Sequence, residues 1–152
     1  MKKITFLKTF IQTRWLHHFK SREALENYQK KQLDVYMEFL KRESPYFKNG
    51  VPHDFDHMDK AFMMTHFNEL NTQGVNRDEA LALAIESEKT RNFTELKGEI
   101  AVGLSSGTSG HRGLFITTEK ERSMWAAAIL AKMLPKGQLF GHRIAFFLRA
   151  DN

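Results

Sequence analysis

A cluster of small residues at 105–110 has the residue types and spacing that can bind an anion. Glycines at positions 107, 110 and 113 let the backbone adopt unusual turns and approach a ligand closely. Successive backbone N–H groups in such a turn converge into a concave anion site. Hydroxyl donors stand between the glycines, at Ser105, Ser106, Thr108 and Ser109. A hydrogen bond to a charged oxygen is worth roughly 1.5–3 kcal/mol, so three or four of them could hold a triphosphate without a dedicated lysine.

Two other interpretations of this cluster predict different surroundings. A flexible Ser/Gly linker joins separate domains, whereas this cluster joins two short apolar segments that we expect to pair with each other. A Walker-type loop needs a lysine after its last glycine and a helix that starts at the loop. Here His111 follows Gly110, and the apolar residues 114–118 come before any helix. The pattern therefore favours a phosphate-binding loop within a β-hairpin.

The elements before the cluster are predicted to be helical through about the first ninety residues. Apolar residues recur at helical spacing through 4–19, and again from Leu25 to Leu40 after Ser21, the expected N-cap. Pro45 and Gly50 should end that helix. A shorter helix should cover 59–70, and Asn76 with Glu79 resembles a capping box that opens the next helix.

The pattern changes near residue 99. Residues 99–105 and 114–118 are short, apolar and partly β-branched, which predicts two strands. Thr118 and Glu121 form another capping-box pattern, and an apolar helix should follow until Pro135 and Gly137 end it. The segment 142–149 is predicted to be a buried strand.

This order of elements predicts an α/β fold. We expect a mainly helical region at 1–95 and the start of an α/β ATP-binding subdomain at 96–152, which carries the loop 105–113. Parallel sheets normally need cover on both faces, and only three late strands are predicted. We therefore expect an incomplete sheet in a chain that is the front part of a larger protein.

The composition excludes several classes of protein. Cysteine is absent, so the chain has neither disulfides nor thiolate metal sites. The net charge is +5, but basic residues are interleaved with Glu and Asp, which favours solvated helix faces over a nucleic-acid surface. No apolar segment is long enough to span a membrane, and Lys8 and Gln12 interrupt the N-terminal apolar run. We expect a cytoplasmic protein without a membrane partner.

The segment 53–59, with the sequence HDFDHMD, has the composition of a metal site. Nothing elsewhere in the sequence completes a set of ligands. We therefore interpret it as a polar loop that caps a helix starting near Asp59. No metal site is predicted, and no catalytic residue is assigned.

The sequence SSGTSG, followed by Gly113 and a predicted strand, resembles the phosphate loop of the adenylate-forming superfamily of acyl-CoA synthetases, luciferases and peptide-synthetase adenylation domains. Similarity is greatest to the branch of phenylacetate–coenzyme A ligase and the deazaflavin-coenzyme synthetases. Ser44–Phe47 and Met58–Asn71 also resemble that branch. The resemblance runs from about residue 25 to the end of the chain, and the loop is its most specific part.

The resemblance implies an AMP-forming ligase. Such an enzyme activates a carboxylate substrate with ATP and Mg²⁺ to an acyl-adenylate, and then transfers the acyl group to a nucleophile such as the thiol of coenzyme A. The loop would hold the β- and γ-phosphates while pyrophosphate departs. The implied binding residues are Ser105, Ser106, Gly107, Thr108, Ser109, Gly110 and Arg112.

This chain departs from the family pattern after the loop. Many members continue with Lys-Pro, whereas His111 and Arg112 stand here, so Arg112 would supply the positive charge. The family's adenine pocket, Mg²⁺-binding acid, acyl pocket and catalytic lysine lie downstream of the matching segment. The chain alone is therefore expected to be inactive. Without the missing part, the strand at 142–149 would be an exposed apolar sheet edge, which would favour self-association.

The alternative function is a basic helical module that binds nucleic acid or a protein partner. Aromatic residues interleaved with lysines in residues 1–48 would form its surface. In that case the Ser/Gly loop would be structural, and the protein would catalyse no reaction.

Overall fold

The structure is a computed structural model that describes residues 2–48, 58–107 and 112–145. It is a mixed α/β arrangement of helices and one antiparallel hairpin. The helices are α1 (Lys2–Ile11), α2 (Arg22–Glu43), α3 (Pro45–Lys48), α4 (Lys60–Thr65), α5 (Phe67–Leu70), α6 (Arg77–Thr90) and α7 (Glu119–Met133), and the strands are β1 (Ile100–Leu104) and β2 (Leu114–Thr118).

The predicted helix starts are confirmed by their capping hydrogen bonds. The Ser21 hydroxyl accepts from the N–H of Ala24, and the Asn76 side chain accepts from the N–H groups of Asp78 and Glu79. The capping box at the start of α7 is reciprocal. The Thr118 N–H donates to the Glu121 carboxylate at 2.8 Å, and the Glu121 N–H donates to the Thr118 hydroxyl at 3.3 Å. These contacts satisfy N–H groups that have no partner within the helix.

Two predicted helices are interrupted. The first does not run regularly to residue 19, because α1 ends at Ile11 and the wider π-helical turn Gln12–Leu16 follows it. The helix predicted at 59–70 divides into α4 and α5 at His66, whose φ of −100° and ψ of 18° leave the helical region. The His66 ring lies 4.4 Å from the Phe62 ring, centroid to centroid.

The hairpin pairs β1 with β2 in antiparallel register, from Ile100 opposite Thr118 to Leu104 opposite Leu114. This confirms the predicted pairing. At Gly103 the ring of Phe115, its partner across the ladder, occupies the space where a side chain would stand. The aromatic ring therefore covers the weakest position of the strand.

The hairpin packs on a core formed by its own strands together with α5, α6 and the segments beside them. Ile100 and Leu114 are buried in it, and β1 contacts α6. Its buried members are Phe67, Val75, Ala80, Ala84, Leu96, Ile100 and Leu114. The small alanines at 80 and 84 lie one helical turn apart and let the helix approach the sheet closely.

The prediction of a strand at 142–149 is wrong for the residues of that segment that the structure describes. Residues 142–145 form no strand, and Ile144 is 49% exposed. The remainder, 146–149, lies outside the described residues. Within the described ranges the sheet consists of β1 and β2, and residues 142–145 are not part of it.

The chain divides into two compact units: residues 1–17 with 123–152, and residues 18–122. In the first unit Phe10, Ala127 and Ala131 form a small core. The Arg14 guanidinium donates to the carbonyl oxygens of Ala131 at 2.9 Å, Leu134 at 2.6 Å and Pro135. A cation at the C-terminus of α7 complements the helix dipole.

Candidate functional site

The loop between β1 and β2 is closed by a pair of hydrogen bonds. The Ser105 N–H donates to the Gly113 carbonyl at 2.8 Å, and the Gly113 N–H donates to the Ser105 hydroxyl oxygen, also at 2.8 Å. We call this Ser105–Gly113 pair the loop closure. It continues the ladder by one step, so the loop starts from a rigid base.

Gly107 is required by both its backbone and its surroundings. Its φ is +70°, a conformation that residues with side chains rarely adopt. A Cβ placed there would lie 2.8 Å from the Cγ of Arg112, which is too close for a carbon–carbon contact. The backbone at Gly107 therefore lies directly against the Arg112 side chain.

Arg112 joins the loop to helix α6. Its Nη1 donates to the Glu88 Oε2 at 2.7 Å, its Nη2 donates to the Glu88 Oε1, and its Nε donates to the Ser105 carbonyl at 3.1 Å. The hydrogen bond from Arg112 lowers the pKa of the Glu88 carboxyl below its ordinary value, against a smaller raising effect of desolvation. The charges of Arg112 and Arg91 lower this pKa further. The same hydrogen bond raises the pKa of Arg112. Arg112 is therefore fully charged at the base of the loop.

Helix α4 places a second basic residue beside the loop closure. A Cβ built on Gly113 would stand 3.2 Å from the Cγ of Lys60, so the aliphatic part of that side chain lies against the closure. The Met64 sulfur on the same helix accepts from the Leu114 N–H at 3.3 Å, which fixes α4 against the start of β2. The base of the loop is therefore bordered by the Arg112 guanidinium, which pairs with Glu88, and by the aliphatic part of Lys60.

The structure brings together part of the predicted binding set. Ser105 and Arg112 meet at the loop closure, Gly107 packs on Arg112, and Ser106 is exposed. The predicted residues Thr108, Ser109 and Gly110 lie outside the described residues. The described part therefore shows the base of the loop rather than its tip.

Sequence reasoning missed Glu88. Its partner Arg112 lies 24 residues away, so no local spacing links the two. A weak signal does exist: Glu88 lies in the last turn of α6, where a negative charge opposes the helix dipole. An acid in that position is stabilised by a cation from elsewhere in the fold, which here is Arg112.

The predicted polar loop HDFDHMD is described only at its end. Residues 53–57 lie outside the described residues, whereas the Asp59 carboxylate accepts from the Phe62 N–H at 2.7 Å and caps α4 as predicted. Among the described residues, no three His, Asp or Glu side chains converge into a metal-binding group.

Comparison with known proteins gives no match for this chain among protein-family models, curated proteins or solved structures. Within the described ranges, no helix combines the length and apolar character that crossing a bilayer requires.

Proposed function

We propose that the loop 105–113 binds the phosphates of ATP, and that the chain contributes this site to an AMP-forming ligase that activates a carboxylate substrate. The acyl group would pass from the adenylate to a nucleophile such as the thiol of coenzyme A. The observation that carries the proposal is the loop closure, which sets a Ser/Gly-rich loop between two antiparallel strands. The resemblance to the adenylate-forming loop requires that setting.

The geometry also argues against a Walker-type site. In a Walker loop the helix begins at the glycine-rich turn and directs its N–H groups at the phosphates. Here β2 follows the loop at Leu114, and the next helix begins only at Glu119. Phosphate binding therefore depends on the loop's own N–H and hydroxyl groups and on Arg112 at its base.

The described residues fit an anion. Ser105 uses its hydroxyl oxygen as an acceptor and retains its O–H as a donor. Arg112 places a guanidinium beside the loop closure, where it donates to the Ser105 carbonyl and pairs with Glu88. Bound Mg²⁺ would neutralise charge on the β- and γ-phosphates.

The alternative, a basic module for nucleic acid, is less well supported. Two cations on α2 contact acids on the same helix: Arg22 contacts Glu26 at 2.7 Å, and Lys41 contacts Glu38 at 2.8 Å. Such neutralised pairs release fewer counterions from a nucleic-acid backbone than free lysines would.

The proposal is tested by Thr108→Val, which keeps the side-chain shape and deletes the hydroxyl donor. Titration calorimetry of the 152-residue chain with tripolyphosphate should show binding by the wild type. A lost hydrogen bond to a charged oxygen should weaken that binding by about 10- to 150-fold.

The matched control is Thr94→Val, because Thr94 is exposed and lies before the hairpin. It should bind as the wild type does. Absence of binding by the wild type, or equal affinity in both variants, would disprove phosphate binding by the loop.

A further inference from the structure

The contacts of Arg112 suggest that the site contains a residue outside the loop. The guanidinium makes three hydrogen bonds, two to the Glu88 carboxylate and one to the Ser105 carbonyl. Two nitrogens of the guanidinium therefore point to the two oxygens of one internal anion.

The guanidinium is a planar fork that binds two oxygens of a carboxylate or a phosphate in the same way. A phosphate that binds both Nη atoms of Arg112 would occupy the place that Glu88 occupies in the structure. Carboxylate and phosphate therefore compete for one face of the same side chain.

Arg112 and Glu88 are both exposed enough for an external anion to displace the Glu88 carboxylate from the Arg112 guanidinium. The side chains of Arg112 and Glu88 are 45% and 43% exposed. Ion pairs in contact with solvent are weak, and a polyphosphate carries several negative charges against the single charge of Glu88. Arg112 can therefore exchange partners without any change in the core.

We infer that Glu88 is a positioning residue of the phosphate site, which holds Arg112 beside the loop closure and competes with polyphosphate for its guanidinium. The inference rests on the proposed function, because it requires that the loop binds phosphates. The inference adds that the Glu88 carboxylate, by competing for Arg112, sets how tightly the phosphates bind.

The test is Glu88→Gln, which preserves the shape of the side chain and removes its charge. Calorimetric titration with tripolyphosphate should show affinity that rises by about two- to fivefold, the range expected for an exposed ion pair. A merely structural role for Glu88 would predict an unchanged or weaker affinity.

Glu86→Gln is the matched control, since Glu86 is exposed on the same helix and its loss changes the net charge equally. It should leave the affinity close to that of the wild type. Arg112→Gln should weaken binding, and Glu88→Gln added to Arg112→Gln should no longer raise the affinity.

The outcomes separate the two proposals. If tripolyphosphate binds but Glu88→Gln and Glu86→Gln have equal affinities, or Glu88→Gln binds more weakly, competition by Glu88 is disproved and the phosphate site stands. If neither the wild type nor any of these variants binds tripolyphosphate, both proposals are wrong. The amide spectrum of each variant shows whether it retains the fold, and Glu88→Asp provides a second substitution at the same position.

Discussion

The core beneath the hairpin and the core around helix α7 differ in how well they cover their apolar residues. Beneath the hairpin, residues from α5, α6 and both strands bury one another. Around α7 the buried set is Phe10, Ala127 and Ala131, while Trp125 is 70% exposed and Met133 is 68% exposed. The difference indicates that the loop closure is supported locally, whereas much of the apolar surface of α7 is left uncovered by the described residues.

The largest expected effect concerns the hairpin core. Leu114→Ala should lower the free energy of unfolding by about 2–5 kcal/mol, because a buried side chain is removed and a cavity remains. Met133→Ala on α7 should change it by less than about 0.5 kcal/mol, since that side chain is exposed. Urea unfolding measures both, and equal losses would show that the α7 face is covered in solution.

Gly107→Ala tests whether Arg112 restrains the loop. An alanine at positive φ costs about 1–2 kcal/mol, and the Arg112 side chain must also shift. Gly98→Ala is the matched control, because its φ is +73° and no atom lies within 4 Å of the added Cβ. Both variants should melt earlier, but only Gly107→Ala should lose tripolyphosphate affinity; equal affinities would contradict the contact.

A smaller effect is expected at the loop closure. Ser105→Ala removes the hydroxyl that accepts from the Gly113 N–H, a contribution of about 1 kcal/mol. Amide hydrogen exchange should therefore become faster at Gly113. The exposed neighbour Ser106 provides the control, and Ser106→Ala should leave that exchange rate unchanged.

The smallest effect follows from the lowered pKa of Glu88. Its ionised form stabilises the folded state above the ordinary carboxyl value of 4.5, and this contribution is lost as the pH falls through the lower folded pKa. A carboxyl NMR titration should show a midpoint below 4.5 in the wild type and a higher midpoint in Arg112→Gln. A wild-type midpoint at or above 4.5 would contradict the ion pair.

Local patterns predicted the parts of the fold that depend on near neighbours. The caps at Ser21, Asn76 and Thr118 involve residues two or three positions apart, so spacing alone identifies them. The hairpin was predictable because its strands are separated only by the Ser/Gly loop.

Contacts between distant residues were not predictable in this way. A strand at 142–149 needs a neighbour to complete its hydrogen bonds, and an apolar run does not indicate whether one exists. Likewise Ser105 and Gly107 were proposed as binding residues from their types, and Arg112 from the family resemblance. Glu88 joins them only through the packing of α6 on β1.

The contacts of Arg14 join two segments of the chain that the ribosome makes at very different times. Its partners Ala131 and Leu134 lie 117 and 120 residues later in the chain. Ribosomes add about 5–20 residues per second, so roughly 6–24 s pass between the synthesis of Arg14 and that of these partners. During that interval Phe6 and Phe10 have no native partner on α7. The nascent chain therefore exposes the apolar face of α1 to chaperones until α7 is made.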